Sequence, residues 1–99
     1  MTLRPVCAAA LLAVALPSAA FAWTGEKYAS QAKLTMEQAT AIALKERPGT
    51  VTDRELEREH GGLRYSFDIK GADGALYEVG VDAKSGKVLE DSKEGPHPD

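Results

Sequence analysis

Between residues 63 and 82 the chain alternates apolar and polar side chains strictly, and few folds accommodate that. In "LRYSFDIK" the residues Leu63, Tyr65, Phe67 and Ile69 alternate with Arg64, Ser66, Asp68 and Lys70. A period of two places the first row on one face of a strand and the second on the other, so the pattern predicts a half-buried strand. Tyr77, Val79 and Val81 repeat it in the strand that follows. A three-residue loop, Ala72-Asp73-Gly74, keeps both apolar rows on one side and pairs Ile69 with Tyr77 and Phe67 with Val79. Gly74 then falls where a left-handed residue follows a type I turn. A four-residue bend, Ala83-Lys84-Ser85-Gly86, brings Val88 opposite Val81, with Gly86 at positive φ and Asp82 or Ser85 bonding local amides.

The segment upstream, "TVTDRELEREH", has helical propensity in its Glu, Leu and Arg residues. A helix would stack Arg54 over Arg58 and Glu55 over Glu59, like charges four residues apart. As a strand it sorts cleanly: Asp53, Glu55, Glu57 and Glu59 face one way, Arg54, Leu56 and Arg58 the other. A two-residue turn at Gly61-Gly62 sets Leu56 across from Phe67 and Glu59 across from Arg64. Val51 has the wrong parity for the apolar face, which predicts a bulge near Thr52-Asp53.

One helix precedes these strands, in "LTMEQATAIALKERPG". Thr35 and Gln38 form a capping box, and Leu34 can staple onto Ala39. Met36, Ala39, Ile42 and Ala43 recur at helical spacing, and the two alanines let this face lie close to a sheet. Arg47-Pro48-Gly49 ends the helix, because a residue before proline is pushed out of the α region. The expected fold is therefore α+β, one N-terminal helix packed on a small antiparallel sheet of three to four strands, in the order α-β-β-β-β.

Residues 1–22, "MTLRPVCAAALLAVALPSAAFA", read as a cleaved signal peptide. Arg4 leads an apolar run, Pro17 breaks it, and Ala20-Phe21-Ala22 offers the small-x-small cleavage pattern. That run is about half of the ~20 residues a membrane span needs, so no membrane span is expected after cleavage, and the protein is expected to be periplasmic or secreted. Removing 22 of 99 residues leaves 77, enough for one domain, whose net stability would be only ~3–5 kcal/mol. The cleaved chain also loses Cys7, its single cysteine, and Arg4, which takes the formal charge from −3 to −4. Mild acidity with mixed signs argues against a nucleic-acid partner. Within the remainder, residues 23–33 read as a flexible N-terminal arm, 34–91 as the folded domain and 92–99 as a disordered tail.

Chemistry is sparse. "DAKSG" lacks the six to eight oxygens that calcium takes and the glycine spacing of a phosphate loop, so it reads as a bend. His60 in a turn and His97 in the tail share no metal spacing. The row Asp53, Glu55, Glu57 and Glu59 reads as a solvated face with ordinary carboxylates. No catalytic, metal or cofactor residues are expected. Arg54, Leu56, Arg58 and Arg64 are the candidate partner-binding residues, the arginine stems covering apolar surface while their heads reach solvent or a partner. The strand 50–59 is the candidate open edge, its charges serving to block stray pairing.

The helix pattern Thr35, Ala39, Ala43 and the closing "VDAKSGKV" from Val81 to Val88 resemble the PepSY domain family over residues 34–91. Members occur in propeptides of thermolysin-like metallopeptidases, in membrane reductase-like proteins and as single exported modules. The resemblance implies a non-enzymatic protein-binding module, a modulator or inhibitor of an extracytoplasmic peptidase or of another envelope protein. It brings no catalytic residues with it. A different expectation is a small-ligand or metal sensor acting through His60 and the carboxylate row. Partner identity, the face used and oligomeric state are left open.

Overall fold

The computed structural model describes residues 23–95. The expected leader, His97 and the end of the expected tail lie outside the described residues. The elements run in order: a 3-10 helix Glu26–Gln31, α1 Met36–Glu46, β1 Gly49–Glu59, β2 Gly62–Gly71, β3 Leu76–Asp82 and β4 Val88–Lys93. The four strands form one antiparallel sheet in the order β1-β2-β3-β4, and α1 covers one of its faces. This is the α+β architecture that the alternation and the capping pattern predict. β4 reaches two residues past the expected domain end at 91.

The capping box forms as read. Gln38 N–H donates to Thr35 Oγ1 at 3.1 Å and Thr35 N–H to Gln38 Oε1 at 2.9 Å. Met36, Ala39 and Ala43 are buried, and the two alanines let α1 lie directly on the sheet. Beneath them are Leu56, Tyr65, Phe67, Ile69, Val79 and Val81, all nearly inaccessible. Burying such side chains contributes about 1.5–3 kcal/mol each, the main favourable term in a fold this small. Tyr65 keeps its hydroxyl satisfied inside this layer by donating to Leu34 O at 2.6 Å.

The far end of α1 is fastened by Arg47, its C-cap residue. The guanidinium donates from Nε and Nη2 to the two carboxylate oxygens of Asp91, at 3.2 Å each, and stacks 3.8 Å from the Tyr77 ring centroid. Tyr77 in turn donates to Asp73 Oδ2 at 2.6 Å. That bond holds the Asp73 carboxyl below its usual range and lifts the Tyr77 phenol.

The β2–β3 register is as expected, Ile69 facing Tyr77 and Phe67 facing Val79, with Gly74 at φ 84°. The bend at 83–86 also holds: Val81 faces Val88, Gly86 sits at φ 81°, and Asp82 Oδ1 accepts from Lys84 N–H and Ser85 N–H. The β1–β2 register differs from expectation. Leu56 faces Tyr65 and Glu57 faces Arg64, because the turn is His60-Gly61, at φ 50° and 81°. Both central residues are left-handed, as a type I′ hairpin requires. Moving the turn by one residue shifts the pairing by two, so every side chain keeps the face its parity assigns. The bulge falls between Val51 and Asp53, as predicted.

Residues 23–33, expected as a loose arm, pack against β1. Leu56 N–H donates to Thr24 O at 2.8 Å and Thr24 N–H to Arg54 O at 3.4 Å, a parallel bridge opposite Glu55. Trp23 meets Tyr65 edge-on, with centroids 6.4 Å apart. Lys33 N–H and Leu34 N–H both donate to Ala83 O at 3.0 Å, which joins the arm to the β3–β4 bend.

Candidate functional site

Because α1 covers one face of the sheet, the alternate residues of every strand line the other face, which no described helix covers. From β1 come Asp53, Glu55, Glu57 and Glu59; from β2, Arg64, Ser66, Asp68 and Lys70; from β3, Leu76, Glu78, Gly80 and Asp82. β4 adds Glu90, Ser92 and, just beyond its end, Glu94. Acids dominate this face.

Arg64 is its organising cation. Its side chain is 12% exposed and lies among four carboxylates: Glu90 at 2.9 Å, Glu59 at 3.4 Å, Glu57 at 3.6 Å and Glu78 at 3.7 Å. Its Nε also donates to Ser66 Oγ at 2.9 Å, and Ser66 donates onward to Glu57 at 2.7 Å. Gly80 makes room for this. A Cβ there would sit 2.4 Å from Arg64 Cζ, so the guanidinium rests on bare backbone. A glycine inside a strand often marks such an approach.

Arg64 and Lys70 together do not neutralise so many acids. Bonds from Arg64 and Ser92 hold the Glu90 carboxyl below its usual range. Glu78 goes the other way: burial and the neighbouring Glu90 push it up despite Arg64. Burial and the charge of Glu94 raise Asp68, and burial and Glu57 raise Glu55. Within the row that the sequence suggested as ordinary solvated carboxylates, Glu55 is thus an exception. Near β4, one carboxylate oxygen each from Asp68, Glu78 and Glu94 fall within 4.8 Å of one another.

The four candidate partner-binding residues do not share a surface. Leu56 is 1% exposed and belongs to the core. Arg58 lies on the helix side of β1, where it donates to Gln31 Oε1 at 2.7 Å and sits 5.1 Å from the Tyr28 ring. Arg54 shares that side and is half-buried. Arg64 lies on the opposite face, already surrounded by carboxylates. His60, exposed in the β1–β2 turn, stands apart from the Asp68–Glu78–Glu94 group. Sequence reasoning passed over Glu78, Gly80, Glu90 and Glu94; the glycine amid "YEVGVD" was the available signal.

The sheet has two edges. β1, the expected open one, is occupied at Arg54 and Leu56 by Thr24. On β4, Glu94 N–H donates to Leu76 O at 2.8 Å, so by alternation Asp91 and Lys93 turn their backbone groups away from β3. Among the described residues no strand pairs with that side. Leu89, at the β4 bulge, is 47% exposed beside it.

Two outcomes follow from the Arg64 cluster. Gly80→Ala should displace the guanidinium and cost about 1–2 kcal/mol in urea unfolding. In an Arg64→Ala background the same change should become neutral or stabilising, the usual sign for Gly→Ala at an unstrained site. The pH dependence has two arms. Glu55, Asp68 and Glu78 hold protons more tightly folded than unfolded, so stability rises as pH falls through their raised range. Asp82 and Glu90 are lowered, so their contribution is lost as pH falls below the ordinary carboxylate range. Melting curves from about pH 8 to about pH 3 should show a mildly acidic maximum, and Asp68→Asn with Glu78→Gln should flatten its alkaline side.

No described helix is long and apolar enough to cross a membrane. The family model for the "peptidase propeptide and YPEB domain", PepSY, matches residues 33–91. The uncharacterized protein YkoJ of Bacillus subtilis (strain 168) is 36% identical over 61 residues, 62% of this chain and 36% of YkoJ. The crystal structure of a "putative lipoprotein" from Clostridium difficile 630 is similar at a TM-score of 0.58 and 38% identity, over 62% of this chain and 40% of that one. The chain thus matches well under half the length of either relative. With the helix, the four-stranded sheet and the matched span in agreement, this chain belongs to the PepSY domain family.

Proposed function

We propose that this domain is a non-enzymatic, exported protein-binding module that modulates or inhibits an extracytoplasmic peptidase or another envelope protein. The observation that carries the reading is the outer edge of β4, where Asp91 and Lys93 present backbone groups to no strand among the described residues. An extended segment of the partner adds there as a fifth strand, main-chain bonds supplying affinity and alternate side chains specificity. Every second partner side chain then lies beside Glu90, Ser92 and Glu94, a setting that selects Lys and Arg. The family's description as a peptidase propeptide domain supports a peptidase as the partner. The lipoprotein relative supports an envelope location.

The test is a titration of the protein with an extended peptide carrying Lys at alternate positions, read at backbone amides by NMR. Saturable shifts at Asp91 and Lys93, weakened by salt, are expected. Lys93→Pro removes the outward N–H without touching the β3 ladder and should weaken binding at least about tenfold, about 1.4 kcal/mol. Shifts confined to Thr24 and Arg54 would place docking on β1 and end this reading.

A second reading, cation sensing, is favoured by the Asp68–Glu78–Glu94 group. Calcium binding only the folded state must raise the melting temperature. A rise that Asp68→Asn abolishes would support sensing, and an unchanged melting temperature in millimolar calcium would remove it.

A further inference from the structure

Asp91 faces two ways at once. Its backbone groups turn outward from β4, where the proposed partner strand adds, while its side chain lies on the helix side in the grip of Arg47. We infer that Arg47 is a positioning residue for strand docking: its hold on Asp91 keeps β4 in the extended, aligned state that an incoming strand needs. The inference rests on the strand-addition reading and deepens it, because it makes the end of α1 a regulator of that edge.

β4 has little else to hold it. It is six residues long, pairs on one side only, carries a bulge, and none of its residues is fully buried. Short segments with few buried contacts open locally at low cost. Among the described residues no other side-chain hydrogen bond or ion pair joins β4 to α1 or its caps. This one is well made: Nε and Nη2 each reach a separate carboxylate oxygen at 3.2 Å, a fork that fixes direction as well as distance. The guanidinium is immobilised in turn. It lies 3.8 Å from the centroid of the buried Tyr77 ring, whose hydroxyl donates to Asp73 at 2.6 Å, and Asp73 accepts a second bond from Ala75 N–H at 2.9 Å. On the other side, Arg47 N–H closes α1 by donating to Ala43 O at 2.8 Å. A stiff chain of contacts thus runs from the helix end and the β2–β3 turn to Asp91.

A strand that adds to a frayed edge must first order it, and the entropy of that ordering is subtracted from affinity. An edge already held straight avoids the loss. The coupling also runs backward: a partner bonded to the Asp91 backbone strengthens the Arg47 contact by the same factor by which that contact strengthens the partner. A purely structural ion pair behaves differently. Cutting it lowers stability, but the molecules that remain folded bind as before.

The experiment combines amide hydrogen exchange of the free protein with NMR titration by the alternating-Lys peptide. Arg47→Met keeps an apolar stem over Tyr77 and removes the donors. It should speed exchange at the amides that alternation turns toward β3, those of Glu90, Ser92 and Glu94, more than in β2. It should also weaken the peptide about three- to tenfold. Asp91→Asn should do the same, and the double variant should bind no worse than either single one. In the unaltered protein the Arg47 Nε–H resonance should shift saturably, in step with the Asp91 amide. Thr35→Ala, which breaks the capping box at the other end of α1, should lower the melting temperature and leave peptide affinity unchanged. A peptide that fails to bind even the unaltered protein ends the strand-addition reading and this inference with it. A peptide that binds the unaltered protein and Arg47→Met equally, or exchange in β4 that Arg47→Met leaves unchanged, overturns the positioning role alone. So does a loss of affinity in Thr35→Ala equal to that in Arg47→Met, since any loosening of α1 would then suffice.

Discussion

A single helix can cover only one face of a four-stranded sheet, and the rest of this molecule follows from that asymmetry. Ala39 and Ala43 bring α1 against Phe67, Ile69 and Val79, so the apolar members of each strand share one side. Strand alternation then delivers the intervening side chains to the other side, whatever their charge. The acids crowd together there because they have no other place to go. Arg64, lying over Gly80, is the counterweight that makes the crowding tolerable. Exposed ion pairs contribute little singly, but this one is shielded and serves four partners at once.

The parts of the fold legible in the sequence are those set by parity and by local turn chemistry. Alternation in "LRYSFDIK" assigns faces without any knowledge of partners, and Gly74 and Gly86 mark two of the turns. The third turn was misplaced by one residue because it puts His60 rather than a second glycine at positive φ, an uncommon though accessible state for histidine. That error left the faces intact because it altered the pairing by an even number. The arm escaped notice for another reason. Trp23 and Tyr28 are isolated aromatics without a repeat, and they dock on residues some 30 to 40 positions away, so no window of sequence displays the contact.

The site was less legible than the fold. Arg64 was singled out, but its partners come from β1, β3 and β4, up to 26 residues distant, and only the assembled sheet gathers them. The row Asp53–Glu59 was visible as a charged face. That Asp68, Glu78 and Glu94 converge with one another across three strands depends on cross-strand register. Arg54, Leu56 and Arg58 share one face of β1 as read, but Arg64, grouped with them, lies on the opposite side of the sheet.

The unequal margins of the sheet carry a consequence for assembly. Filaments built by lateral strand addition need two receptive borders, so that each newcomer offers a landing place to the next. Here Thr24 interrupts one border while the other remains accessible, so a single docking event leaves behind no comparable template. The geometry favours a terminated pairing over open-ended polymerisation.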